Sequence, residues 1–363
     1  MKKQKIVVVG ISGGVDSSVA ALLLKKQGYN VIGAFMKNFS DSKNPLTGEC
    51  AWKAEKLMAQ KIASILNIPL YTFDFEKEYK NLVIKPMIKS YSQGLTPNPD
   101  SLCNQKIKFP LFWKKAKALG ADLIAMGHYA RIKKTKSGFK LLAGKDKSKD
   151  QSYFLFELTQ KDLEHTLFPI GRYKKEQIRQ TAKENHFPNW NKQGTRGICF
   201  VGKVNMKNFL NKSIPEKKGK IISPEGKIIG THPGIMYFTI GQRIGNRLGM
   251  EIKKPKSKTN QKWYVADKRK NNILVAAPKN HQIFKKQKVL IKSLHIINPK
   301  ERIQKHLKAR IRHLGKLFNG ILEKENNNYI FKFKKPIIGI AEGQSIVLYK
   351  NAQIIGGGEI RLK

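Results

Sequence analysis

The chain has 363 residues, 40% of them hydrophobic, with 71 lysines and arginines against 25 acidic residues and a formal net charge of +46. That length supports two or three domains, each with a core of its own, and the absence of any apolar run near the roughly 20 residues of a membrane span argues against a membrane partner. So large a positive charge draws polyanions, nucleic acid first, with an affinity that falls with salt. However, 11 of the 71 basic residues are arginine, and a lysine bias of that kind also fits an AT-rich genome.

The first predicted element is the strand KIVVVG, ending at Gly10 and followed by GISGGVDSS at 10–18 and the helix-forming VAALLLKKQGY, closed by Gly28. The apolar run reads as a strand buried on both faces, and the spacing after it as an amphipathic helix. Gly13 and Gly14 let the backbone approach an anion closely, while Ser17 and Ser18 are placed to cap the helix whose free amides face that anion. A Walker A loop would end in Gly-Lys-Ser/Thr and a dinucleotide fingerprint would read GxGxxG, and neither is present. With Asp16 and its serines, SGGVDSS resembles the pyrophosphate loop of the N-type ATP pyrophosphatases, which cleave ATP between the α and β phosphates and adenylate a substrate oxygen. The basic start MKKQK imitates a signal peptide, but its apolar part is short and runs into this loop, so a mature cytoplasmic protein is expected.

Further along, VIGAFMKN, PLYTFDF and ADLIAMGH read as strands, with AWKAEKLMAQKIASILN and KFPLFWKKAKALG as helices between them. The alternation predicts an α/β fold with an open parallel sheet covered on both sides. Ligands of such sheets bind beyond the carboxyl ends of the strands, where the 10–18 loop, Met36 and Gly127-His128 all fall.

Between them lies TPNPDSLCNQKIKF at 96–109. Pro97 and Pro99 stiffen it, so it is expected to be held out ahead of a helix, with Cys103 near the helix N-terminus. The dipole, Lys106 and Lys108 would favour the thiolate, and Asp100 is either a proton-exchanging group or a turn-forming cap. Cys199, in QGTRGICFVG, lies beside Arg196 or packs between Ile198 and Phe200. With Cys50 the cysteines number three and none forms a CxxC pair, so neither a disulfide framework nor a four-thiolate zinc site is expected. Two thiols and an adenylating loop suggest a reaction in which AMP activates a carbonyl oxygen and sulfur attacks its carbon.

From about 206 the chain turns to short β-like pieces, including KIISPEGKIIGTHPG with its Pro-Glu-Gly hairpin signal. From about 280, KVLIKSLHII, HLKARIRHL, GILEKENNNYIFKFKK and QSIVLYKNAQIIGGGEIRL predict a small barrel or sandwich. The expected domains are therefore 1–205, the ATP pyrophosphatase unit; 206–279, a small mostly-β unit; and 280–363, a β-barrel. The lysine runs around 252–270 read as solvated loops.

In GISGGVDSS, MKN at 36–38, TPNPDSLCN with IKF, GHYAR at 127–131, KDQSYFL at 149–155, GICFVG at 197–202, TIGQR at 239–243, WYVADK at 263–268 and GQSIVLY with GGGEI, the chain resembles the bacterial tRNA-specific 2-thiouridylases over nearly its full length. The resemblance implies that Gly10, Ile11, Ser12, Gly13, Gly14, Val15, Asp16 and Ser17, with Met36 and Gly127, hold ATP and its Mg2+, whose protein ligands are not assigned. It implies that the wobble-uridine O2 attacks the α-phosphate, and that Cys199 carries a persulfide whose sulfur goes to C2. Cys103 would then release hydrosulfide or resolve the persulfide as a transient disulfide, with Asp100 as acid/base. For tRNA it implies Asn98, Pro99 and Asp100 at the target base, with His128, Lys149, Asp150, Gln151, Arg310, Ile311 and Gln344 as further contacts. Tyr129 and Tyr153 read as core residues. The implied partners are tRNAs for Lys, Glu and Gln and a persulfide donor, either a relay protein or a cysteine desulfurase, acting on a monomer. The chain departs from the family pattern at Thr195-Arg196, at GQRIGN and at Arg310-Ile311. The competing readings are another adenylating enzyme such as a lysidine synthetase or an amidotransferase, an iron-sulfur thiolase, for which the CxxC is missing, and a basic RNA-binding protein with a degenerate loop.

Overall fold

The computed structural model describes residues 4–40, 50–194, 206–245, 250–252, 262–326 and 328–362. Thr195, Arg196, Ile198, Cys199 and Phe200 lie outside them.

Strands β1 (Ile6–Gly10), β2 (Asn30–Lys37), β3 (Leu70–Asp74) and β4 (Leu123–Ala125) realise the four expected strands. The next two, β5 (Ala130–Thr135) and β6 (Gly138–Ala143), form a hairpin, and β7 (Thr166–Leu167) returns to complete a parallel sheet of order β3-β2-β1-β4-β7. Val7, Val8 and Val9 are all fully buried, because alternate side chains of β1 enter two different cores. One core is covered by α1 (Val15–Lys26), α2 (Ala51–Ile65) and, later in the chain, the helix at 175–184. The other is covered by α3 (Glu76–Tyr79), α4 (Lys85–Ser92), α5 (Pro99–Cys103) and α6 (Pro110–Ala118), with π-helical turns between α3 and α4 and between α5 and α6. The remaining helices are α7 (Gln160–Glu164), α8 (Lys175–Glu184) and α9 (Met206–Asn211).

The central unit is a five-stranded sheet of β8 (Gly219–Ile222), β9 (Ile228–His232), β10 (Glu251–Ile252), β11 (Trp263–Arg269) and β12 (Ile273–Pro278), in the order β10-β9-β8-β12-β11. The Pro-Glu-Gly signal is the β8–β9 turn, where the Ser223 amide donates to the Lys227 carbonyl at 2.8 Å. Strands β13 (Lys286–Ile296), β14 (His306–Arg310), β15 (Phe318–Glu325), β16 (Asn328–Ile337), β17 (Ser345–Lys350) and β18 (Gln353–Arg361) form a barrel closed by the β13–β18 pairing. The β5–β6 hairpin extends this barrel sheet, Leu141 and Leu142 pairing with Ile354 and Gln353 of β18.

The first unit and the barrel therefore share a core: Leu141, Val347, Tyr349 and Ile354 belong to the same apolar cluster as Val8, Met36, Phe73 and Cys103. Within this seam lies a buried ion pair. Arg310 donates to Asp150 at 2.9 Å, and the other Asp150 oxygen accepts from the Gly144 and Ser152 amides at 3.1 Å each. The two side chains are 13% and 3% exposed, so removing one leaves its partner uncompensated away from water. Asp150→Ala should lower the unfolding free energy by about 3 kcal/mol in denaturant titrations. The neighbouring exposed Lys149, as Lys149→Ala, should change it by less than about 0.5 kcal/mol.

Candidate active site

The carboxyl edge of the first sheet brings the glycine-rich loop, Met36 and Gly127 together. A Cβ on Gly10 would lie 2.8 Å from Met126 Sδ and 3.4 Å from Met36 Cε, and one on Gly127 would lie 2.8 Å from the Ser17 amide nitrogen. Gly13 has φ +74°, and a Cβ there would meet the Glu55 carbonyl oxygen at 2.5 Å. The turn is therefore packed too tightly for side chains at these positions. The expected serine caps do not form: Ser17 and Ser18 hydroxyls both donate back to the Gly14 carbonyl at 3.0 Å, and the N-cap Gly14 has no side chain to give. The first-turn amides of α1 lack a side-chain cap at the positive end of the helix dipole, which is an environment suited to an anion.

Side chains distant in sequence hold this loop in place. Lys175 of α8 donates to both Asp16 oxygens at 2.7 and 2.8 Å, and the Tyr129 hydroxyl donates to the same carboxylate at 2.7 Å. Asn189 donates to the Gly13 carbonyl at 3.1 Å and to the Ser18 hydroxyl at 3.0 Å, while Lys192 pairs with Glu55 at 2.8 Å. Lys175, Asn189, Lys192 and Glu55 carry no sequence signal for this role, because only the tertiary packing of α2, α8 and the segment after α8 around the loop brings them near. Asn38, two residues beyond Met36, is 2% exposed, and neither atom of its amide has a hydrogen-bond partner among the described residues. A backbone turn this close at Gly10, Gly13 and Gly127, at a helix N-terminus without a side-chain cap, fits a nucleotide phosphate.

The 96–109 stretch corrects one expectation. Pro99 is the first residue of α5, Asn98 is its N-cap, accepting from the Ser101 amide at 3.3 Å, and Asp100 stands in the first turn rather than capping. Cys103 ends α5 with no solvent exposure, packed in the core shared with Ile107, Phe109 and Phe112. Proline stiffening starts the helix early, so the thiol is carried into the core rather than displayed. Cys50 precedes α2 and its thiol donates to the Ser40 carbonyl at 3.1 Å.

The residues implied as tRNA contacts are spread over the seam between the first unit and the barrel. Asn98 donates to Ser345 at 3.2 Å, and Gln344 donates to the Thr96 and Pro97 carbonyls at 3.0 and 3.2 Å. Gln151 accepts from the Tyr129 amide at 3.0 Å, and Asp150 and Arg310 bind each other. Ile311 is 4% exposed in the barrel core, so its side chain offers no surface to an RNA. His128 is buried against Phe109 and Phe168, and burial, assisted by Lys108, holds its imidazole well below the usual range and therefore neutral. Lys149 is exposed and Pro99 and Asp100 are partly so. Tyr129 and Tyr153 are core residues, as expected.

Comparison with known proteins is decisive for the family. A model described as the tRNA methyl transferase HUP domain matches residues 5–203, followed by its PRC-barrel domain at 207–277 and an aminomethyltransferase beta-barrel domain at 286–360. The tRNA-specific 2-thiouridylase MnmA 1 of Geobacillus kaustophilus is 42% identical over 363 residues, covering 99% of this chain and 96% of that protein. The chain belongs to the tRNA-specific 2-thiouridylase family. A second 2-thiouridylase, from Nitrosomonas europaea, is 41% identical over 366 residues, covering 99% of both chains. Among solved structures, a 4-thiouridine synthetase–RNA complex with bound ATP is 18% identical, with a TM-score of 0.35, covering 58% of this chain and 50% of that one.

Two outcomes are expected for this 2-thiouridylase family member. Buried Cys103 should alkylate with iodoacetamide at least about tenfold more slowly than partly exposed Cys50 in the native protein, read by peptide mass spectrometry. Glu157, near Lys106, has its carboxyl pushed up to about 7 by burial, opposed by Lys106 and reinforced by Glu359. A carboxyl raised on folding stabilises below its unfolded pKa, and that stability is lost as pH rises through the folded value. Native stability should thus decline from about pH 4.5 to 7, and Glu157→Gln should be more stable than native by about 2 kcal/mol at pH 8 in denaturant titrations.

Proposed function

We propose that this chain is an ATP-dependent tRNA-uridine 2-sulfurtransferase. The observation that carries the reading is the convergence of the 10–17 loop, Met36 and Gly127 on one tight anion cradle, in a chain of the 2-thiouridylase family. Gly10, Ile11, Ser12, Gly13, Gly14, Val15, Asp16 and Ser17 would receive ATP, with Met36, Gly127 and Asn38 toward its base. Magnesium, if bound with the nucleotide, supplies charge neutralisation at the phosphates, its coordination coming largely from phosphate and water oxygens. The methyltransferase wording of the family model is less apt, since methyl transfer needs neither a pyrophosphate cradle nor a pair of thiols.

In this reading the wobble-uridine O2 attacks the α-phosphorus of ATP and pyrophosphate leaves with the bonding pair. The terminal sulfur of a Cys199 persulfide then bonds C2, the C2–O bond breaks, and AMP departs. Cys103 closes the electron balance: whether it expels hydrosulfide first or resolves the persulfide after attack, a Cys103–Cys199 disulfide results, and a two-electron thiol reductant reopens it. Because Cys103 is buried in α5, either route requires the thiol to become accessible to the persulfide. Asn98, Pro99 and Asp100 would face the target base, with Asp100 exchanging the proton, while exposed lysines such as Lys149 would follow the phosphate backbone. His128, Gln151, Asp150, Arg310, Ile311 and Gln344 would then act chiefly by fixing the surface that meets the tRNA. The expected substrates are tRNAs for Lys, Glu and Gln, the sulfur donor a relay protein or desulfurase, and the working form a cytoplasmic monomer.

The test is nucleoside mass spectrometry after incubation with unmodified tRNA, ATP, magnesium and a persulfide source. 2-Thiouridine should form with the native chain and fall below about 1% of that level with Cys199→Ala, while tRNA-dependent pyrophosphate release persists. Release of pyrophosphate without thiolation by the native chain would retain adenylation and overturn the cysteine assignments.

A further inference from the structure

Two blocks singled out in the sequence, TIGQR at 239–243 and WYVADK at 263–268, have no part in the chemistry above. In the fold they lie side by side: the Gly241 amide donates to the Val265 carbonyl at 2.7 Å, and the Val265 amide to the Gln242 carbonyl at 2.9 Å. Strand β11 is irregular between Val265 and Asp267, and bulges of this kind re-aim the side chains that follow. Lys268 comes next. It is not a solvated loop lysine, as the surrounding lysine runs suggested: its ammonium crosses to the first unit and donates to the Gly94 carbonyl at 2.8 Å.

Gly94 opens the short segment that leads into α5, and three units of the molecule grip that segment. The central unit supplies Lys268 at Gly94 and Thr239, whose hydroxyl is 3.5 Å from that of Thr96. The barrel supplies the Glu342 carbonyl, which accepts from the Thr96 amide at 2.9 Å, and Gln344, which donates to the Thr96 and Pro97 carbonyls. The approach is close: a Cβ on Gly343, at φ +86°, would lie 2.9 Å from both Leu95 Cβ and the Thr96 amide nitrogen. Immediately beyond stand Asn98, Pro99 and Asp100. Burial pushes the Lys268 ammonium down to about 8, against the opposing attraction of Glu342, so the contact draws on a poorly solvated donor.

We propose that Lys268 is a positioning residue for the thiolation reaction, through which the central unit holds residues 94–98 in register with the barrel and so sets the target-base loop at the start of α5. The inference rests on the functional reading above, with Asn98 to Asp100 at the base. It assigns the central unit a role separate from ATP binding, since neither Lys268 nor Thr239 touches the 10–17 loop.

The experiment uses the full chain as native protein, Lys268→Met, Lys268→Arg and the exposed control Lys270→Met, in two measurements. In hydrogen–deuterium exchange, peptides spanning 94–103 should exchange at least about tenfold faster in Lys268→Met, with peptides spanning 10–18 unchanged and Lys268→Arg intermediate. In thiolation kinetics, Lys268→Met should lose at least about tenfold in kcat with KM for ATP within about twofold, and Lys268→Arg should recover part of the loss. Native exchange at 94–103 in Lys268→Met, or native kcat, overturns the proposal. If Lys268→Met does not fold, Lys268→Gln takes its place: faster exchange at 94–103 with a loss in kcat supports the proposal, and native exchange or native kcat overturns it. Absence of thiolation by the native chain would defeat the functional reading, while the exchange data would still judge the clamp.

Discussion

The carboxylate of Asp150 accepts from two backbone amides and from a guanidinium carried on the barrel, almost without solvent. A buried charge of this kind is tolerable only while all its partners are present, so the geometry around it is all or nothing. Through it the 144–152 turn, the β5–β6 hairpin and the end of β14 are fixed to one another. The hairpin in turn extends the barrel sheet through β18. The first unit and the barrel thus behave as one body with a shared apolar core, and surfaces lying across their seam acquire a defined shape.

That rigidity gives the two halves of the candidate active site different mechanical characters. The anion cradle is built from backbone with no room for side chains, and its carboxylate and carbonyl groups are held by Lys175, Asn189, Lys192 and Tyr129 from outside the loop. Such a turn has its amides oriented before any anion arrives, which limits the reorganisation that binding would require. The α5 region is built the other way. It begins at a capped proline, carries Cys103 into the core, and is tethered at its leading end by hydrogen bonds from two other units.

The separation has a chemical rationale. In the proposed reaction a persulfide and an activated carbonyl would both be open to water and stray thiols, and burial shields Cys103 from such side reactions. Asp150, Arg310 and Gln344, which the family resemblance implies as tRNA contacts, also make internal hydrogen bonds across the seam. The net charge of +46 gives the chain a long-range, salt-dependent attraction for polyanions.

Local patterns in the sequence determined a great deal. Apolar runs of strand length alternating with amphipathic stretches are legible because burial on two faces or one leaves a period in the residues themselves, and KIVVVG, VIGAFMKN and the Pro-Glu-Gly hairpin all formed as read. The glycines at 13 and 14 were legible as a cradle because the lack of a Cβ is a property of the residue, and Gly127 was legible as a residue at the same sheet edge. Tertiary structure alone decided what those elements meet. Neither the burial of Cys103 nor the pairing of Asp16 with Lys175, 159 residues away, leaves any local trace. The same holds for the Asp150–Arg310 bond, which joins side chains 160 residues apart, and for Lys268, which a run of neighbouring lysines disguised as surface. Each depends on which side chain another part of the chain delivers, and a hydrogen bond or an ion pair imposes no period on the sequence that encodes it.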